Sequence, residues 1–229
     1  MLQRIREREI KLAVDSSGAA AFYEYLTNQR TIGGLALVGS EDRRFRDSYF
    51  DTPDLLLWNT GGYLRLRHGP TQSVATLRVS RGPPSTPNTV ELSRPVGQLP
   101  VVVNELIRQF SSFGPMPEDI SAPELLIEQI GLEQIVSLSN ERRVLFVQPQ
   151  SLGRRYRVKL DKVTYDIWGL MQYEIELDVY DRQGLTWAAD VVRSLLTQAP
   201  GVRLTTSTKL DRGLVLRELF DAWRSQRAV

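Results

Sequence analysis

The chain has 229 residues, 41% of them hydrophobic and 24% charged, which suits a folded globular protein with a sizeable core. Its 29 basic and 27 acidic residues leave a formal charge of only +2, so net charge gives no footprint for long nucleic acid. Cysteine is absent and His68 is the single histidine, which excludes disulfides, a cysteine nucleophile and zinc sites of the usual Cys and His type; any metal must be a hard cation held by oxygen.

The first residues are charged rather than apolar, and no run approaches the roughly 18 to 20 apolar residues of a membrane span, so a cytoplasmic protein without membrane association is expected. Alternation of apolar and polar residues predicts a strand near 2 to 13. Asp15 then serves as a plausible cap for a helix over 16 to 29. After the turn at Gly33-Gly34, strands are predicted at 45 to 51, 62 to 69, 73 to 80 and 89 to 94. The Pro- and Ser-rich stretch from Gly82 to Asn88 reads as a hairpin loop, because neither flank could fold alone. Helical patterns follow in parts of 99 to 112 and at 121 to 137, then strands at 141 to 148, 154 to 165 and 169 to 180, then helices at 185 to 198 and 209 to 226. Eight strands joined by short turns favour one antiparallel sheet, which could close on itself and remove its edges. A single domain over residues 1 to 229 is expected.

Residues two apart in a strand share a face, so each strand splits into two stripes. Tyr173, Ile175, Leu177 and Val179 oppose Glu174, Glu176 and Asp178, and Tyr156, Val158 and Leu160 oppose Arg155, Arg157, Lys159 and Asp161. Leu64 and Leu66 oppose Tyr63, Arg65 and Arg67; Leu77 and Val79 oppose Thr76 and Arg78. A solvated charged face, with cross-strand ion pairs of roughly 0.2 to 1 kcal/mol each, would produce this pattern. The first strand argues against it: Glu7, Glu9 and Lys11 lie on one side and Arg4, Arg6, Arg8, Ile10 and Leu12 on the other, so its first half has no apolar face. With the charged stripes turned inward, a tunnel would receive Glu7, Glu9, Glu91, Asp161, Glu174 and Glu176 with Lys11, Arg65, Arg67, Arg78, Arg157 and Lys159. An enclosed set of both signs implies partners such as metal ions and a polyanion. Magnesium takes a few carboxylates with waters and phosphate oxygens, and arginines hold phosphate by paired charge-assisted hydrogen bonds.

Glu7-Arg-Glu9-Ile-Lys11 matches an E-x-E-x-K signature, and further matches follow in order. They are Tyr49-Phe-Asp-Thr-Pro-Asp, Tyr63-Leu-Arg65-Leu-Arg67, Thr76-Leu-Arg78, Glu91, Arg142-Arg143, Leu160-Asp161, Tyr173-Glu174-Ile-Glu176 and Thr208-Lys209-Leu-Asp-Arg212-Gly213. On these residues, which span nearly the whole chain, the sequence resembles the triphosphate tunnel metalloenzymes, or CYTH superfamily. The resemblance implies an α+β fold: an eight-stranded antiparallel β-barrel tunnel with charged residues inward and helices around it. It implies that Glu7, Glu9, Asp161, Glu174 and Glu176 bind one or two divalent metals, Mg2+ or Mn2+. It places Arg65, Arg67, Arg78, Arg143, Lys209 and Arg212 on the triphosphate, with Lys11, Glu91 and Lys159 in the same lining. Of the neighbours Arg142 and Arg143, the spacing to Phe146 favours Arg143. Lys11 and Tyr49 are the expected catalytic pair, orienting the attacking water.

The sequence departs from the family pattern at Arg78, where a lysine is usual, and at Thr89, where many members have an arginine. Asp54, Asp178 and Asp181 are assigned to surface or support. Inorganic triphosphate is the preferred small-molecule substrate because every matched residue recognises phosphate. Thiamine triphosphate is the nearest rival, with Tyr63 and nearby Trp58 as an aromatic platform; adenylate cyclase and RNA 5′-triphosphatase use the same scaffold. A polyphosphate- or nucleotide-binding module without catalysis is the reading from another class, and the full acidic set argues against it, since a simple anion binder gains nothing from carboxylates beside phosphate.

Overall fold

The computed structural model describes residues 8–81, 88–110, 112–113, 115, 123–149, 154–198 and 201–227. Glu7 and most of the Gly82 to Asn88 loop lie outside the described residues. The strands are β1 (Arg8–Val14), β2 (Thr31–Ile32), β3 (Leu35–Asp51), β4 (Tyr63–His68), β5 (Ser73–Arg81), β6 (Asn88–Pro95), β7 (Glu133–Gln148), β8 (Tyr156–Tyr165), β9 (Met171–Val179) and β10 (Val202–Leu204). The helices are α1 (Ser16–Thr27), α2 (Leu56–Asn59), α3 (Leu99–Gln109), α4 (Pro123–Gln129), α5 (Arg182–Gln198) and α6 (Lys209–Arg227). They form a ten-stranded sheet in the order β10-β1-β9-β8-β7-β3-β4-β5-β6, with β2 paired to β3. β1 pairs antiparallel with β10 and β9, β8 with β9, β3 with β2 and β4, and β5 with β4 and β6.

All eight expected strands are present, and the count rises to ten because β2 and β10 are too short to show an alternation. Two boundaries are corrected: β3 begins at Leu35 rather than at 45, and the change from helix to strand near residue 130 comes earlier than expected. The helix over 121 to 137 stops at Gln129, and β7 begins at Glu133 rather than at 141. Gly131 adopts a left-handed φ of 81°, with Gly131 N–H bonded to Glu128 O (2.9 Å) and Leu132 N–H to Ile127 O (3.1 Å). That glycine-terminated cap ends the helix. Leu132, Ile135, Val136 and Leu138 are buried beyond it, and their spacing imitates a helical stripe.

The chain falls into two compact units: Met1–Arg44, Asn140–Thr164 and Gly169–Ser207 in the first, Phe45–Ser139, Tyr165–Trp168 and Thr208–Val229 in the second. In the first, Leu12, Val158, Leu160, Ile175 and Leu177 pack with Leu145 and Val147 beneath Ala19 and Leu26 of α1 and Trp187, Ala188, Val191 and Leu195 of α5. In the second, Leu64, Leu66, Ala75, Leu77 and Val79 pack against Leu99, Val102, Val103 and Leu106 of α3, Leu126 and Ile127 of α4, and Leu57. Each apolar stripe is therefore covered by helices, which leaves each charged stripe on the opposite face of its strands. Among the described residues no helix is long and apolar enough to cross a membrane.

The entry into β4 is set by Asp51, buried at the end of β3. Its carboxylate accepts the backbone N–H groups of Thr52, Leu57 and Trp58, each at 2.8 Å, and so caps the short α2. Gly62 follows; a Cβ there would lie 2.5 Å from Arg78 O, so only glycine lets β4 start this close to β5. Replacing Asp51 with Ala strands one buried backbone donor and two partly buried ones, and should lower stability by about 3 kcal/mol. Urea unfolding of Asp51→Ala against the parent chain measures this, and a loss within experimental error would refute the capping role.

Candidate active site

In the first unit the ladder aligns the charged stripes of β1, β9 and β8. Glu9 sits opposite Asp178 and Asp178 opposite Arg157; Lys11 pairs with Glu176 and Glu176 with Lys159; Glu174 pairs with Asp161. Asp161, Glu174, Glu176 and Asp178 are all buried. One oxygen from each of Asp161, Glu174 and Glu176 lies within 4.8 Å of the other two. Buried carboxylates at this spacing require cations, and Arg142, Lys159, Lys11 and Arg157 bring theirs to Asp161, Glu176 and Asp178. Arg142 of β7 donates from Nε and Nη2 to the two oxygens of Asp161 (2.6 and 2.5 Å) and from Nη2 to Glu176 (2.9 Å). Lys159 Nζ lies 2.8 Å from Glu9, 2.7 Å from Asp178 and 3.5 Å from Glu176. Lys11 Nζ stands 3.6 Å from Glu9 and 3.9 Å from Glu176, and Arg157 Nε 2.6 Å from Asp178.

The electrostatics follow from that packing. Burial and the charge of Glu176 push the Glu9 carboxyl up, but Lys159 and Lys11 outweigh them and hold it below its ordinary value. Burial opposes the charge on Lys159, yet Glu9, Glu176 and Asp178 keep its ammonium above the usual lysine value. The Arg142 guanidinium is likewise held above its ordinary value against burial, by Asp161, Glu176 and Glu9. As a donor set, Asp161, Glu174 and Glu176 fit Mg2+ or Mn2+, which take oxygen ligands and leave positions for water or phosphate.

In the second unit the polar face of β3 to β6 carries cations. Tyr49 pairs with Arg65, Arg65 with Thr76 and Thr76 with Ser93; Tyr63 pairs with Arg78 and Arg78 with Glu91. Asp47, fully buried, takes both Nε and Nη2 of Arg67 at 2.7 Å, and the Arg67 guanidinium lies 3.7 Å above the Phe45 ring centroid. The Nε atoms of Arg65 and Arg78 are buried and meet no acceptor among the described residues. A buried guanidinium N–H without an acceptor is costly, and an anion is what would relieve it.

Tyr49 is buried, 5.7 Å from Tyr63 in an edge-to-face contact. Burial, then the charge of Asp47, pushes its hydroxyl up to about 12 against the pull of Arg65 and Lys209. At neutral pH Tyr49 is therefore a hydrogen-bond donor and not a base. Lys209 and Arg212 lie in the first turn of α6, where Thr208 and Asp211 cap each other: Thr208 N–H to Asp211 at 2.7 Å and Asp211 N–H to Thr208 Oγ1 at 3.1 Å. The Trp58 indole N–H donates to the same Asp211 at 3.1 Å.

The structure thus brings Glu9, Lys11, Lys159, Asp161, Glu174 and Glu176 onto one face of the first unit. It places Tyr49, Arg65, Arg67 and Arg78 on one face of the second, with Lys209 near enough to act on Tyr49. Lys159, expected in the phosphate lining, sits among carboxylates, and Glu91 is exposed opposite Arg78. The two arginines of β7 lie on opposite faces of the strand. Arg143 shares the face of Leu145 and Val147, which pack in the core, and pairs with Asp42 at 2.6 Å, whereas Arg142 reaches Asp161 and Glu176. Asp178, assigned to surface or support, is fully buried and anchors Lys159 and Arg157; its position two residues after Glu176 was the signal for it.

A model of the CYTH domain matches residues 6–214. Two solved structures are similar in fold. One is a candidate adenylate cyclase from Bacillus halodurans, 16% identical, with a TM-score of 0.52 over 90% of this chain and 95% of its own. The other is a candidate adenylyl cyclase from Hippeastrum described as having a dominant triphosphatase activity, 16% identical, with a TM-score of 0.53 over 90% of this chain and 93% of its own. No curated protein matches the sequence.

The start of α6 gives a pH prediction. Burial raises the Asp211 carboxyl, but the Thr208 N–H, the Trp58 indole, the Thr208 hydroxyl and Arg212 outweigh it, so it is held below the ordinary 3.8. A depressed carboxylate contributes stability above its unfolded pKa and loses it as pH falls through the folded value. Trp58 fluorescence should accordingly hold steady through the range where ordinary aspartates titrate and change only at more acid pH. In Asp211→Asn that acid step should vanish; its persistence there would detach Trp58 from Asp211.

Proposed function

Because the chain belongs to the CYTH domain family, we propose that it is a metal-dependent hydrolase of inorganic triphosphate, releasing phosphate and diphosphate. The observation that carries the reading is the trio of Asp161, Glu174 and Glu176, buried with oxygens within 4.8 Å of one another, in a chain where the buried Nε atoms of Arg65 and Arg78 meet no acceptor among the described residues. The family match draws on both units, and we read them as parts of one catalytic domain.

Asp161, Glu174 and Glu176 would hold Mg2+ or Mn2+, with Glu9 beside them; when bound, the ion supplies neutralisation of phosphate charge. Arg65 and Arg78 offer their buried N–H groups to phosphate oxygens, with Arg67 fixed by Asp47 and Lys209 and Arg212 adding charge. Stabilising the equatorial oxygens is most of what phosphoryl transfer asks of a protein. Lys11, tethered by Glu9 and Glu176, positions the water that attacks the terminal phosphorus, and Tyr49 donates a hydrogen bond from its protonated hydroxyl. The anhydride P–O bond breaks, diphosphate leaves and the water's proton passes to product oxygen or solvent. The triphosphatase activity described for the Hippeastrum protein supports this reading.

A second reading rests on Trp58, 39% exposed and steered by Asp211 in the unit that holds Arg65 and Lys209. As an aromatic platform it would favour thiamine triphosphate. A panel of inorganic triphosphate, thiamine triphosphate and ATP with Mg2+ or Mn2+, scored for phosphate and cyclic nucleotide, separates the readings. Phosphate release should be fastest from inorganic triphosphate and should stop on chelation. Glu174→Gln and Glu176→Gln should each slow it by about a hundred-fold, or about 2.7 kcal/mol of barrier. Turnover that survives both substitutions would sink the assignment.

A further inference from the structure

Arg142 occupies carboxylates that the proposed function assigns to a divalent cation. Its side chain is only 12% exposed and it forks both oxygens of Asp161 while reaching Glu176, two of the three clustered acids. The in-plane lone pairs that receive a guanidinium fork are those that a metal would take. Arginine does not deprotonate in proteins, so it cannot yield its place by losing a proton. It must move.

The charge count around it points the same way. Among the described residues, the five carboxylates Glu9, Asp161, Glu174, Glu176 and Asp178 share a face with the four cations Lys11, Arg142, Arg157 and Lys159, which leaves these nine one net negative charge. A divalent ion added with all four cations in place would leave a buried excess of positive charge, which is unfavourable unless an anion arrives with it. Arg142 forks one of the clustered acids directly, whereas Arg157 is anchored on Asp178, outside the trio, and Lys159 on Glu9 and Asp178 as well as Glu176.

We propose that Arg142 is an exchange residue. In the metal-free protein its guanidinium holds Asp161 and Glu176 together; when a divalent cation binds there, the guanidinium transfers to phosphate oxygens of the substrate. This inference rests on the metal-dependent reading above. Its consequence is coupling: metal binds weakly without triphosphate, triphosphate binds weakly without metal, and each strengthens the other by the same factor.

The test is calorimetric titration of the full chain with Mn2+ alone. Arg142→Gln should bind Mn2+ about tenfold or more tightly than the parent chain, since it removes a charge in contact with the ligands. Arg142→Lys, which keeps the charge but loses the fork, should gain about threefold and carries the test if the Gln variant does not fold. Arg157→Gln removes the same charge from the same face at Asp178 and should gain less than either. Phosphate release by Arg142→Gln should fall despite its tighter metal, a combination that a purely structural role does not give. Unchanged or weaker Mn2+ binding in the Arg142 variants, or an equal gain in Arg157→Gln, overturns the exchange while leaving the metal reading intact. Absence of Mn2+ binding in the parent chain and in every variant overturns both.

Discussion

Four carboxylates no more than 4% exposed sit on one face of the two adjacent strands β8 and β9, and the fold depends on how their charge is met. Taking a carboxylate out of water costs on the order of several kcal/mol even after relaxation, so each must find a cation or a metal. Here Lys11, Lys159, Arg157 and Arg142 supply such contacts to Asp161, Glu176 and Asp178 from β1, β8 and β7. That need fixes the register of β1 on β9 and β9 on β8, because a slip by one residue would turn the acids toward α1 and α5 and the leucines away from them. Stability and metal chemistry thus draw on the same side chains.

The second unit shows the complementary economy. Asp47 is spent on Arg67 and Asp51 on the backbone of α2, so neither acid meets the N–H groups that Arg65 and Arg78 bury. Tyr49, protonated well past neutrality, adds a donor to this face. One unit concentrates acceptors suited to a hard cation, and the other concentrates donors suited to phosphate. The proposed triphosphatase needs both chemistries.

Much of this was legible in the sequence because strand alternation is a strict parity. Glu174 and Glu176, Lys159 and Asp161, and Arg65 and Arg67 could be assigned to common faces by counting, and the registers place them as counted. The helical cover of α1, α3 and α5 decided which stripe is apolar core, a matter that alternation leaves open. Parity also marks where counting is most sensitive. Arg142 and Arg143 are adjacent, so a shift of one residue exchanges the core side for the carboxylate side, and the buried Leu145 and Val147 show which side each takes. The start of β7 was misread because buried residues at 132, 135, 136 and 138 match a helical spacing until Gly131 is recognised as the end of α4. β2 and β10 are held by pairing with β3 and β1 and have no local pattern of their own.

The most direct measurement is anomalous scattering from crystals grown with Mn2+ and inorganic triphosphate. A manganese peak is expected roughly 2 Å from oxygens of Asp161, Glu174 and Glu176. A map with no peak at those carboxylates, and Arg142 still forked across Asp161 and Glu176, would contradict the proposed site.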